Sequence, residues 1–233
     1  MCGRFVQSRD ITDYLHQLDA EQDVISGYDR RPVNRYNVAP GSRVLILHNA
    51  ADGLRIDPCH WGWAPFWAAS KRPAPINARV ETVTTGKFFK ALWPQGRALV
   101  MADGWYEWVS DPRDPKRKQP YFIRLKSQAP MFMAALAEVH AGLEPNEGDG
   151  FVIITAASDQ GMLDVHDRRP LVLSPEHARQ WIDPSLTARD AEQLARDECL
   201  PVEAFEWFAV SKAVGNVRNE GAELIVAQPG TGL

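Results

Sequence analysis

The feature that most limits what this chain can fold into is a long succession of short apolar runs with little helical periodicity between them. Residues 43–49 and 54–63 read as two strands on either side of Asp52-Gly53, the pattern of a β-hairpin. Further strand-like runs fall at residues 97–101, 105–109, 121–125, 131–139, 151–155, 171–173 and 205–210. Helical signals are fewer: residues 9–18 behind a capping Ser8, 85–93, a segment from Pro175 to residue 182 behind Ser174, and 188–196 behind Thr187. Strands that follow one another directly, with helices appended rather than interleaved, predict an α+β fold: an antiparallel sheet curled into a partly open, barrel-like form. A parallel βαβ arrangement is disfavoured. Segments 110–120 and 140–150 are charged or rich in Gly and Pro and read as surface excursions.

A chain of 233 residues, 45% of them hydrophobic, can bury one large core, so residues 1–233 are expected to form a single domain and a monomer. No run approaches the ~18 apolar residues of a membrane helix. The start of the chain lacks the basic and apolar regions of a signal peptide, which predicts a cytoplasmic protein without membrane contact. Cys2, Cys59 and Cys199 are odd in number and widely spaced, which argues against a disulfide framework or a zinc site; Cys59 and Cys199 read as buried thiols. A net charge of −4 argues against indiscriminate polyanion binding, but Arg4, Arg79, Arg168 and Arg169 leave a local basic groove open.

The most specific chemistry lies at the first residues. An initiator Met ahead of a small residue is removed, which would leave Cys2 with a free amine beside its thiol. A terminal amine titrates near ~7.7–8.0 and a thiol near ~8.5, so both would be poised near neutral pH. The electrophile suited to that pair is an aldehyde: the amine condenses to an imine, and the sulfur closes on the same carbon to give a thiazolidine.

Three further constellations carry chemistry. If residues 75–79 are extended, Asn77 and Arg79 share a face and could hold a phosphate or sugar oxygen; the plain alternative is a turn Asn and a solvated Arg. On a strand, Glu107 shares its face with Trp105 and Val109, which would desolvate its carboxylate, raise its pKa and fit it for general acid and base work; otherwise it is an exposed strand Glu. His166 can pass protons near neutrality, and Arg168 and Arg169 just after it suit phosphates, against a purely structural His. Of eight tryptophans most are expected in the core, with one or two, such as Trp67 after the Trp61-Gly62-Trp63-Ala64-Pro65 turn, free to stack on bases.

Taken in order, Met1-Cys2-Gly3-Arg4-Phe5, Arg35-Tyr36-Asn37-Val38-Ala39-Pro40, Trp61-Gly62-Trp63-Ala64-Pro65, Ile76-Asn77-Ala78-Arg79-Val80-Glu81-Thr82, Asp103-Gly104-Trp105-Tyr106-Glu107-Trp108, His166-Asp167-Arg168-Arg169-Pro170 and the run from Gly215 through Asn216, Arg218, Asn219 and Glu220 to Leu224 resemble the SOS response-associated peptidase family over nearly the whole chain. The resemblance implies a sensor of the DNA damage response that shields abasic sites in single-stranded DNA. Cys2 would form a thiazolidine crosslink with the ring-opened deoxyribose. Asn77 would orient the sugar or amine, Glu107 would shuttle protons, and His166 would assist ring opening and reversal. Arg4, Arg79 and Arg168 would contact DNA, Trp67 or a neighbour would stack, and neither a metal nor a nucleotide cofactor would be needed. Autoproteolytic loss of Met1, strand cleavage through the imine, and association with the nucleoid on damaged DNA are implied as well.

Two other chemistries share parts of this pattern. An amidohydrolase with a terminal Cys nucleophile also begins Met-Cys-Gly, but in the amidotransferases it serves a synthase domain for which this chain has no room. A non-covalent reader of modified bases would use the same arginines and tryptophans without needing Cys2.

Overall fold

The computed structural model describes residues 2–25, 31–68, 73–111, 113–140, 148–158, 162 and 165–229. Along the chain run β1 (Phe5–Gln7), α1 (Ile11–Leu18), β2 (Arg35–Val38), β3 (Arg43–Ala50), β4 (Gly53–His60), β5 (Asn77–Arg79), β6 (Arg97–Ala102) and β7 (Gly104–Asp111). These are followed by β8 (Asp114–Leu125), β9 (Met131–Glu138), β10 (Gly150–Ala157), β11 (Arg168–Pro170), β12 (Val172–Leu173), α2 (Pro175–Ile182), α3 (Ala188–Asp197) and β13 (Phe205–Ala209). One sheet has the order β13-β8-β7-β1-β2; the other runs β11-β10-β9-β6-β3-β4, with β12 added on β9 and β5 on β10. Of the pairings between these strands, only that of β5 with β10 is parallel. The α+β, partly open antiparallel form expected from the sequence is therefore present, as two facing sheets that do not close into a barrel.

Strand alternation explains how the layers stack. In β6, Ala98, Val100 and Ala102 face one cluster while Leu99 and Met101 face another. In β9 the same split separates Met131, Met133, Ala135 and Ala137 from Phe132, Ala134 and Leu136. The first of these clusters lies between the sheets, where Phe5, Trp105, Ile123 and Phe205 meet it from the smaller sheet. The second lies under α1, α2 and α3 through Tyr14, Leu15, Trp181 and Leu194. A third covers the outer face of the smaller sheet, where Val6, Tyr106 and Phe122 meet Val210, Val214 and Leu224. Antiparallel strands usually wet one face; here both are covered, which is why β6 and β9 read as unbroken apolar runs.

Three expectations are corrected. Residues 85–93 do not form a helix. Isolated bonds from Gly86 N to Thr82 O (2.8 Å), Lys90 N to Gly86 O (3.1 Å) and Trp93 N to Phe89 O (3.0 Å) make separate turns. Gly86, after the β-branched Val83, Thr84 and Thr85, weakens helical propagation. The described residues of segment 110–120 continue the β7–β8 ladder, pairing Val109 with Gln119 and Ser110 with Lys118. Its polarity reflects a ribbon exposed beyond the core, not a loop. Ser8 does not cap α1, whose N-cap is Asp10 without a side-chain bond. Residues 141–147 of the expected 140–150 excursion lie outside the described residues. Among those described, no helix is long and apolar enough to cross a membrane.

Ser8 instead serves Asp103, at the turn between β6 and β7. The Asp103 carboxylate accepts from Ser8 N (2.7 Å), Ser8 Oγ (2.8 Å), Arg9 Nε (2.7 Å) and Tyr14 Oη (2.9 Å), which pins the entry to α1 against the sheet. Asp103→Ala should lower the unfolding free energy by about 2–4 kcal/mol, because several part-buried donors lose their acceptor together. Urea denaturation measures it, and a loss well under 1 kcal/mol, about the net worth of a single hydrogen bond, would show that the hub is not cooperative.

Candidate active site

The site forms where the chain's first residues enter the inter-sheet core. The antiparallel register pairs Phe5 with Trp105, and Tyr106 N donates to Arg4 O at 2.9 Å, so the incoming chain runs alongside β7 toward Glu107. Cys2 is fully buried in the cluster between the sheets. Its carbonyl accepts from Asn77 Nδ2 at 2.8 Å. β5 supplies that amide because its parallel pairing with β10 sets Asn77 against Ile153, with Ala78 buried and Arg79 exposed. Asn77 Oδ1 is also buried, with no hydrogen-bond partner among the described residues.

Glu107 lies on the same face of β7 as Trp105 and Val109 and is 4% exposed. Burial pushes its carboxyl up to about 7, and the charge of Asp167 adds to the rise. This is the desolvation that strand alternation anticipates. The same burial raises the Cys2 thiol far above its ordinary value, with the Glu107 charge as the second cause. The sequence reading placed that thiol near its free value. In the fold it remains protonated at neutral pH, because a thiolate there would be desolvated and would face a carboxylate.

His166 stands just ahead of β11. Its Nδ1 accepts the backbone N–H of Arg168 at 3.0 Å and lies 2.6 Å from Asp167 Oδ1, so a donor and an acceptor compete for one nitrogen. Desolvation lowers its pKa, opposed by the Asp167 charge. The charge of Asp167 is a minor contribution to the raised Glu107 carboxyl.

The arginines divide. Arg79 is exposed beside Asn77. Arg168 is 9% exposed and already engaged: Nη1 and Nη2 bind Glu81 Oε1 and Oε2 at 2.6 and 3.0 Å, and Nη2 also donates to Thr155 O at 2.5 Å. Arg169 is buried on Leu200 O at 2.6 Å. Arg4 points to the outer cluster, donating to Asn37 Oδ1 (2.6 Å) and Val214 O (2.8 Å) with its guanidinium over Trp108. The structure thus brings Arg79 to the open side of the site, while Arg4 and Arg168 are set within the fold. Trp67 is 44% exposed and meets Phe88 edge-on at 5.2 Å. Phe66 beside it, on the same turn after Trp63, is 93% exposed. Glu81 was missed as a functional partner; its place two residues after Arg79 was the available signal.

A family model described as SOS response associated peptidase (SRAP) matches residues 1–217. The chain is 49% identical over 227 residues to the abasic site processing protein YedK of Escherichia coli, covering 97% of this chain and 99% of that protein. It is 29% identical over 274 residues to the abasic site processing protein HMCES of Pongo abelii, covering 97% of this chain and 75% of that one. A crystal structure of a phage-related protein from Bordetella bronchiseptica superposes with a TM-score of 0.75 at 38% identity, covering 91% of this chain and 95% of that one.

The raised carboxyl has a thermodynamic signature. Between the ordinary value of 4.5 and about 7 the folded protein keeps the Glu107 proton while the unfolded chain loses it, so stability falls as pH rises through that window and levels off above it. Glu107→Gln should remove this component. From about pH 4.5 to 8 the variant should gain on the wild type by roughly 3 kcal/mol, read from parallel denaturation series. Identical pH dependence of the two proteins would show that Glu107 titrates normally.

Proposed function

The chain belongs to the SOS response associated peptidase family, and from that premise we propose that it captures abasic sites in single-stranded DNA as a thiazolidine on Cys2. The observation that carries this reading is the Asn77 Nδ2 bond to the Cys2 carbonyl, which fixes the terminal residue beside a carboxyl whose pKa is about 7. The names of the relatives, abasic site processing proteins, point the same way.

Loss of Met1 frees the Cys2 amine, and the peptidase term of the family description fits that step. Asn77 Oδ1 can then accept from the new amine or from a sugar hydroxyl. Imidazole at His166 moves the proton that opens the deoxyribose to its aldehyde. The amine adds to the aldehyde carbon, Glu107 protonates the carbinolamine oxygen, and water leaves with formation of the imine. The Cys2 thiol gives its proton to the Glu107 carboxylate as sulfur bonds to the carbon of the protonated imine, and the C=N electron pair returns to nitrogen as a neutral ring amine. The sum is aldehyde plus aminothiol giving thiazolidine plus one water.

A carboxyl near pKa 7 suits both proton transfers and their reversal. A thiol held neutral until a cationic imine forms beside it is spared from competing reactions. If sulfur does not close, the imine is the branch point for β-elimination of the strand. Arg79 and Trp67 with Phe66 supply the open contacts to phosphate and base; Arg168 and Arg4 act from within the fold.

The test is intact mass after mixing with an abasic single-stranded oligonucleotide. The adduct should equal the protein without Met1 plus the oligonucleotide less one water, and fractions retaining Met1 should stay unmodified. Cys2→Ala should form none, and Glu107→Gln should slow formation by roughly a hundredfold or more. If Cys2→Ala binds and protects abasic DNA as well as the wild type, the protein is a non-covalent reader instead.

A further inference from the structure

Asn37 and the turn around residues 212–220 take no part in the chemistry above, yet they hold the residue next but one to Cys2. The Asn37 side chain is 2% exposed and fully engaged. Its Oδ1 accepts from Arg4 Nη1 at 2.6 Å, and its Nδ2 lies 3.2, 3.0 and 2.9 Å from the carbonyls of Val214, Asn216 and Asn219. Arg4 Nη1 donates to the same Val214 carbonyl at 2.8 Å.

Those carbonyls converge because the two asparagines of the turn bind it to itself. Asn216 Oδ1 accepts from Arg218 N at 3.1 Å, Asn219 Nδ2 donates to Ala213 O at 2.8 Å, and Asn219 N donates to Asn216 O at 3.0 Å. Glu220 then ties the turn to β2, its Oε2 accepting from Tyr36 N at 2.7 Å. Gly221 follows at φ 133°, where a side chain would be strained, and lets the chain leave at once. The turn from Val214 to Glu220 therefore presents the carbonyls of Val214, Asn216 and Asn219 to the Asn37 amide, and that of Val214 also to the guanidinium of Arg4.

We propose that this C-terminal turn, acting through Asn37 and Arg4, is a clamp that positions Cys2, with Asn37 as its central positioning residue; this rests on the reading of Cys2 as nucleophile. A chain end frays unless it is tied down, and misplacing a reacting group by about 1 Å can cost roughly a hundredfold in rate. Asn77 holds the Cys2 carbonyl from one side. Arg4, separated from Cys2 only by Gly3, fixes the chain from the other. Two segments far apart in sequence are thereby coupled: residues 214–220 set where residue 2 sits.

The experiment uses Asn37→Ala and, in case that variant folds poorly, Glu220→Gln, which loosens the turn without emptying the core. Iodoacetamide labelling is followed by peptide mass spectrometry at Cys2, with the buried Cys59 of the same molecules as internal reference. The clamp predicts that Cys2 labelling accelerates about tenfold or more in Asn37→Ala, and in the same direction in Glu220→Gln, while Cys59 is unchanged. It also predicts that adduct formation at saturating abasic oligonucleotide slows about tenfold with little change in the half-saturating concentration. Equal acceleration at Cys2 and Cys59, or none at either, overturns it, since the first is general loosening and the second shows no positional role. Selective Cys2 labelling in a protein that forms no adduct leaves the clamp standing and removes the abasic-site reading.

Discussion

The structure depends on the desolvation of one carboxyl between two sheets. Glu107 faces inward with Trp105 and Val109 and is almost without water contact. Taking a carboxylate out of water is costly, and the group answers by holding its proton to about 7. The same dry environment keeps the Cys2 thiol protonated. A fold that wetted one face of β7, as antiparallel sheets commonly do, would leave both groups at ordinary values and remove the reason for placing them together.

Confinement of the first residues follows from how that core closes. β1 is short and lies one strand in from the edge, flanked by β2 and β7, so the chain enters between two partners rather than along an exposed edge. Asn77 reaches Cys2 from the other sheet, and Arg4 reaches the C-terminal turn. Strands far apart in sequence thus converge on a residue that would otherwise be a free chain end, and the entropy of ordering it is lost during folding.

Much of this was legible in the sequence. Period-two alternation assigns Glu107 to the face of Trp105, and Asn77 and Arg79 to one side of β5 with Ala78 on the other, because strand geometry is local. The split into two facing sheets was not legible, since alternation tells which residues share a face but not which strands share a sheet. Long-range polar partners were hidden for the same reason. Arg4 meets the carbonyl of Val214 across 210 positions, and Arg168 meets Glu81 across 87, so neither pairing has a local signature. Both arginines read as open cations until the fold shows what they bind. Residues 85–93 misled because Phe89 and Trp93 fall at helical spacing within separate turns.

The central claim is that the amine and sulfur of Cys2, held beside Glu107, close together on one sugar carbon. Nuclear magnetic resonance of the adduct made with an abasic oligonucleotide isotopically labelled at the anomeric carbon reads that bond directly. The account predicts a single saturated carbon bonded to both nitrogen and sulfur, with no aldehyde or imine signal remaining. A labelled carbon joined to nitrogen alone, or to a lysine side chain, would contradict it.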